Sequence, residues 1–223
     1  MKITVTKNGQ YAVSGAVPLA TQIIGANAAG DSVDWRPGES FAVGDSYALC
    51  RCGRSSTKPF CDGSHARVGF NGEESASREP FAAAAKTFDG PALVLRDVEG
   101  LCAHARFCDR DGGVWRNVAR TSSADDRGLF ERQVGQCPSG RIVAWDVAAQ
   151  GPIEPELPAS IVIIEDPQEN ISGPIWVRGG IEIVASDGTA YERRNRVTLC
   201  RCGQSNNKPF CDGAHHAVGF KAT

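Results

Sequence analysis

Cys50–His65 reads CRCGRSSTKPFCDGSH, and Cys200–His215 reads CRCGQSNNKPFCDGAH. Twelve of the sixteen positions are identical, and both copies run on to Val-Gly-Phe, at Val68–Phe70 and Val218–Phe220. Each copy holds four side chains that bind soft metals. In an extended segment residues two apart share a face, so Cys50 and Cys52 can grip one metal. Cys61 and His65 stand four apart, and one helical turn would make them neighbours beside a second metal. Pro59 favours a bend before Cys61. Gly63 lets the backbone pass close to a cluster, and Asp62 is placed to cap the turn. The same reading applies to Cys200, Cys202, Cys211 and His215, with Pro209, Gly213 and Asp212. Ser55 and Ser205 are placed to donate to a sulfur, and Lys58 and Lys208 to offset its charge; turn and surface roles would suit them equally.

The likeness extends upstream. Ile3 to Ser14-Gly15 has the same spacing as Ile161 to Ser172-Gly173, after which the first copy is eight residues longer before its cysteines. Related modules are therefore expected at about 1–72 and 158–223, around a different segment at 73–151. Glu73, Glu74 and Arg78 mark one polar linker, and Gly151–Pro158, with three prolines, marks the other. Ile3–Thr6, Ile161–Ile164 and Ile181–Val184 are β-branched strand candidates bounded by turn formers. Modules this small need reinforcement, which a bound metal centre supplies.

The pattern Cys-x-Cys-x2-Ser-x3-Pro-x-Cys-Asp-Gly-(Ser/Ala)-His resembles the CDGSH (mitoNEET-type) iron–sulfur proteins, and both copies match it throughout. The resemblance implies a [2Fe-2S] cluster in each module. One iron would take Cys50 and Cys52 and the other Cys61 and His65; likewise Cys200 with Cys202, and Cys211 with His215. Family members transfer electrons or pass clusters to recipients. They often pair two motifs in a dimer, which a tandem chain would imitate as an internal pseudo-twofold; the expected state is such a monomer or a homodimer. The ligand set alone would also serve a Cys3His zinc site, although Cys-x-Cys is tight for a mononuclear tetrahedron.

The middle segment reads as strand (Pro91–Asp97), cysteine loop (Cys102, His104, Cys108), helix (Asp125–Gln136, with Asp125 as cap), Cys137-Pro138 and strand (Arg141–Asp146). Over about 90–148 this resembles the divergent single-cluster [4Fe-4S] ferredoxins. Such a loop would ordinarily carry a further cysteine near Ala105. With three thiolates, at Cys102, Cys108 and Cys137, the expectation is a [3Fe-4S] cluster, or a [4Fe-4S] cluster completed by His104 or solvent; an empty site is the alternative. The family's usual Ala after Ser-Gly is Arg141 here.

The fold class expected is α+β, strand- and loop-rich, with two small β-rich CDGSH modules around a ferredoxin-like middle. Lys+Arg 24 against Asp+Glu 26 gives a net charge of −2, no general electrostatic reason to bind nucleic acid. No apolar run approaches the roughly 18 residues of a membrane span, and the start carries no signal-like core. Nine cysteines, an odd number, argue against a disulfide framework. A cytoplasmic protein is expected. There is no phosphate-binding glycine loop and no nucleophile elbow, and every histidine lies near a cysteine group. The reading is therefore one-electron transfer to a redox partner, not enzymatic turnover. The alternatives are a cluster donor or store serving an apo-acceptor, and a zinc-stabilised interaction module.

Overall fold

In the computed structural model, which describes residues 1–222, the chain forms an α+β fold rich in strands and loops. The first third supplies β1 (Lys2–Val5), β2 (Tyr11–Ser14), β3 (Leu19–Ala26), β4 (Ser32–Phe41), β5 (Ser46–Leu49) and α1 (Ser64–Arg67). The middle supplies α2 (Phe81–Ala84), β6 (Lys86–Asp89), β7 (Leu93–Asp97), α3 (Val114–Asn117), α4 (Ala124–Gly135), β8 (Ile142–Asp146) and β9 (Gly151–Ile153). The last third supplies β10 (Ser160–Asp166), β11 (Ile171–Arg178), β12 (Glu182–Val184), β13 (Arg196–Leu199) and α5 (Ala214–Ala217). Three sheets result, ordered β12-β1-β2-β5, β13-β11-β10-β3-β4 and β6-β7-β8-β9.

Strand β1 alternates, with Ile3 and Val5 buried, as a half-covered strand does. Strand β10 is buried almost continuously because it is the central strand of five, covered on both faces. Ile161 and Ile163 enter a core shared with Ile3, Val13 and Leu49. Val162 and Ile164 face the other way, against Ile24, Trp176, Ala105 and Phe107.

The two outer thirds exchange strands. β1 pairs in parallel with β12, Ile3 opposite Ile183, and β10 pairs in parallel with β3, Ile161 opposite Leu19. Each hairpin thus receives its parallel neighbour from the other third, and one core spans both. The ladders also correct the equivalence suggested by spacing. Tyr11 pairs with Leu49 and Ile175 with Leu199, so Ser14-Gly15 corresponds to Arg178-Gly179 and not to Ser172-Gly173. The second hairpin is six residues longer, with Ile3 facing Val13 but Ile161 facing Val177. The first copy then gains 14 residues between Leu19 and Leu49, relative to Ile183 and Leu199. These changes offset one another and leave the net eight, which hid both. The added residues form the far part of β3 and β4, and they dock the middle segment: Trp35 Nε1 donates to Gln136 O at 3.2 Å, and Gln136 Nε2 to Val33 O at 3.1 Å.

In the middle segment Leu93, Leu95, Ile142 and Ala144 pack against Val114, Val118, Phe130 and Val134. The α4 cap is Ser123 rather than Asp125. Ser123 Oγ accepts from Asp126 N at 3.1 Å and donates to Asp126 Oδ2 at 2.9 Å, a side-chain cap that fixes the helix start. The far end of α4 is held by Arg196, fully buried on β13. Its Nη1 donates to Val134 O (2.7 Å) and Cys137 O (2.9 Å), and its Nε and Nη2 grip Glu154 at 2.7 Å each. Those carbonyls also accept backbone N–H groups, from Cys137 N and Gly140 N, so the guanidinium adds a second donor to each.

Neither expected linker is slack. Glu74 accepts from Tyr191 Oη (2.7 Å) and Ser186 N (2.9 Å), Ser75 N and Ala76 N donate to Lys208 O, and Arg78 lies over the Tyr191 ring. Within 151–158, Gly151–Ile153 is edge strand β9 and Glu154 pairs with Arg196. These polar stretches are strapped on by hydrogen bonds together with a few apolar contacts, from Ala76, Ile153 and Leu157.

Candidate metal centres

Both Cys-x-Cys segments begin where a short strand ends. After β5 and β13, a bridge between Leu49 and Phe60, repeated between Leu199 and Phe210, folds the Pro-Phe-Cys segment back. Cys50 N donates to Pro59 O at 2.8 Å and Cys61 N to Ala48 O at 2.9 Å; Cys200 N to Pro209 O and Cys211 N to Thr198 O repeat this at 2.9 Å. Ser55 and Ser205 close the loops by donating to Phe60 O and Phe210 O, both at 2.7 Å. Their hydroxyls therefore hold backbone rather than sulfur. Lys208 Nζ donates to Ser205 O at 2.6 Å.

Asp62 and Asp212 act as loop staples. Asp62 accepts from Ser56 N and Ser64 N, both at 2.9 Å, and Asp212 from Asn206 N at 2.8 Å and Ala214 N at 3.0 Å. The residue before each four-residue helix is glycine at φ +83° (Gly63) or +88° (Gly213), a left-handed corner that a side chain would strain. That corner, not a shared helical turn, brings each cysteine to its histidine.

The ligand candidates come together two by two. Cys50 Sγ lies 3.9 Å from Cys52 Sγ, and Cys200 Sγ 3.6 Å from Cys202 Sγ. Cys61 Sγ lies 3.4 Å from His65 Nδ1, and Cys211 Sγ 3.4 Å from His215 Nδ1. Among the described residues no three His, Cys, Asp or Glu side chains converge on a single ion.

Backbone N–H groups point at the sulfurs: Arg54 N at Cys52 (3.4 Å), Gly63 N at Cys61 (3.5 Å), Gln204 N at Cys202 (3.5 Å) and Gly213 N at Cys211 (3.4 Å). Such donors favour thiolate. Burial opposes it, pushing up the Cys52, Cys61 and Cys211 thiols. The hydrogen bond from Cys202 brings Cys200 down to about 6 and drives Cys202 up. Burial, then the charges of His104 and Arg201, holds His215 down at about 4, so its imidazole is neutral at neutral pH. Crowded buried thiols beside neutral imidazoles are a donor set that cationic metal stabilises. The residues fit two metals per site.

The arginine between each pair of cysteines was visible as part of the repeat, but its setting was not. Arg201 pairs with Glu165 Oε1 at 2.6 Å and donates to Gly173 O at 2.7 Å. Arg51, equally buried, lies against the Tyr11 and Phe70 rings without a carboxylate among the described residues, and its Nε and Nη2 find no acceptor.

In the middle segment Cys108 lies within electrostatic reach of both Cys137 and Cys102. Burial, then the Cys137 charge, raises the Cys108 thiol. Arg141, the bulky departure, forms a two-pronged pair with Asp97 at 2.7 and 2.9 Å and reaches Cys102. Ala105, near which a further cysteine would stand, packs into the apolar cluster with Phe107, Ile164 and Trp176. His104 turns its ring onto His216, with centroids 5.2 Å apart.

Two family models match the chain. One, described as iron-binding zinc finger CDGSH type, matches residues 8–66 and 172–216; the other, divergent 4Fe-4S mono-cluster, matches 88–147. Two CDGSH-type iron-binding segments therefore flank a divergent 4Fe-4S mono-cluster domain, and the chain is an iron–sulfur protein. Comparison with curated proteins and with solved structures returned no match. Among the described residues no helix is long and apolar enough to cross a membrane.

Proposed function

We propose that the chain is a cytoplasmic one-electron carrier, not an enzyme, whose partners are redox proteins. Cys50, Cys52, Cys61 and His65 hold one [2Fe-2S] cluster, and Cys200, Cys202, Cys211 and His215 hold another. Cys102, Cys108 and Cys137 hold a third, either [3Fe-4S] or a [4Fe-4S] cluster with a solvent ligand; His104, stacked on His216, is left out. When bound, these groups supply one-electron redox couples. The chain's own residues set the couples: an imidazole in place of one thiolate removes negative charge and raises the potential, and N–H groups on sulfur act in the same direction.

The observation that carries this reading is the two-and-two grouping of donors, 3.4–3.9 Å within each pair. A mononuclear tetrahedral zinc site needs four donors around one point. Freshly isolated protein should be red-brown, contain about seven or eight irons and a similar amount of acid-labile sulfide, and give two classes of EPR signal. Stoichiometric zinc without labile sulfide would overturn the reading. A second reading, cluster donation, is favoured by the partial exposure of Cys61 and His65. The same sample would then lose its visible absorbance to an added apo-ferredoxin instead of merely exchanging electrons with it.

A further inference from the structure

The two CDGSH sites share a loop but not a setting. A Cβ built on Gly213 would meet the His104 ring and lie 3.2 Å from Cys102 O, whereas one built on Gly63 would meet nothing within 4 Å. The middle segment thus caps the second site, where Cys211 and His215 are buried. Cys61 and His65 remain part-exposed. The two loops face one another symmetrically, a Cβ on Gly203 lying 2.7 Å from Cys52 O and one on Gly53 2.7 Å from Cys202 O, so the cap over Gly213 is what sets them apart.

Charge differs in step with exposure. The loop around the open site carries Arg54 and Arg67, both exposed; the matching positions around the capped site are Gln204 and Ala217. Lys58 and Lys208 are common to both loops, as are Asp62 and Asp212. Asp62 already accepts from Ser56 and Ser64 and lies 3.7 Å from Arg67 Nη2, which donates to Ser64 Oγ at 2.6 Å. The open rim is therefore two positive charges richer than its capped twin. An exposed valine adjoins each loop, Val68 at the open site and Val218 at its twin, so the two rims differ in charge and not in apolar surface.

From this we infer that the face around Gly63, Arg54 and Arg67 is the docking surface for an acidic one-electron carrier protein, and that the second site exchanges electrons only inside the molecule. The inference rests on the proposed clusters. One electron crosses the interface, oxidising the carrier and reducing the holoprotein or the reverse, and no bond is made or broken. Rim charges chiefly alter association rate and its salt dependence.

The test uses holoprotein and two carriers of opposite charge: a reduced plant-type ferredoxin, which is acidic, and oxidised cytochrome c, which is basic. Arg54→Gln/Arg67→Ala installs the side chains that the second loop itself carries. At low salt it should slow reduction by ferredoxin about tenfold and flatten the salt dependence, while cytochrome c reacts as fast as before or faster. Gln204→Arg/Ala217→Arg should change neither rate. Unchanged ferredoxin kinetics in the first variant, or an acceleration in the second, would overturn the docking assignment. Iron and sulfide contents, measured on every sample, distinguish that outcome from failure of the cluster reading itself.

Discussion

Arg51 and Arg201 occupy the same place in two nearly identical loops, yet only one is neutralised. Ile3 and Ile161 are equivalent, which puts Lys7 where Glu165 stands, and Glu165 is the carboxylate that answers Arg201. A buried positive charge without a counter-ion favours any extra negative charge nearby. With a cluster in each site as proposed, the one beside Arg51 should be easier to reduce than its twin. Arg51→Gln should lower the potential of the first site by about one tenfold step in the one-electron equilibrium, ~59 mV, and Glu165→Gln should raise that of the second. EPR-monitored redox titrations would read both, and potentials that stay put in both variants would refute the argument. The candidate ligands could be read from the sequence because metal chemistry fixes residue type and spacing together. The missing partner could not, since Glu165 reaches Arg201 only through the hairpin fold.

Among the elements, α4 was legible and the four-residue helices were not. Leu129, Phe130 and Val134 gave the longer helix its period, and Phe130 and Val134 are buried as that period requires. Its cap moved two residues, from Asp125 to Ser123, because Ser123 Oγ accepts from Asp126 N while Asp125 lies within the helix. Ser123→Ala should cost about 1 kcal/mol in urea unfolding; Asp125→Ala, which removes no cap, should cost less, and the opposite ranking would return the cap to Asp125. Helices such as α1 and α5 have too few residues for a periodic signal. A glycine corner and a stapling aspartate shape them, so the sequence showed those residues without the bend they make together. The hairpins posed a different difficulty: a Ser-Gly pair recurs by chance inside the longer second hairpin at the spacing of the first, so matching the two pairs aligned residues that their strands do not.

For the whole molecule, the duplication was evident and the exchange of strands was not, because parallel pairing between Ile3 and Ile183 leaves no local mark. The exchange makes each end of the chain a structural requirement of the other. Ile183 is 3% exposed and belongs to the last third, yet it stands in the first sheet. Ile183→Ala should destabilise the fold by about 2–5 kcal/mol and lower the temperature at which the first site's visible absorbance is lost along with the second's. Bleaching of the second site alone would mean that the halves unfold independently. In an assembly of identical subunits, any shield over one centre would be copied onto its mate by symmetry. Here both partners of the interlock are written in one chain under separate codons. His104 can therefore roof a single centre, and the molecule acquires a closed pole and an open one that no homodimer of this fold could possess.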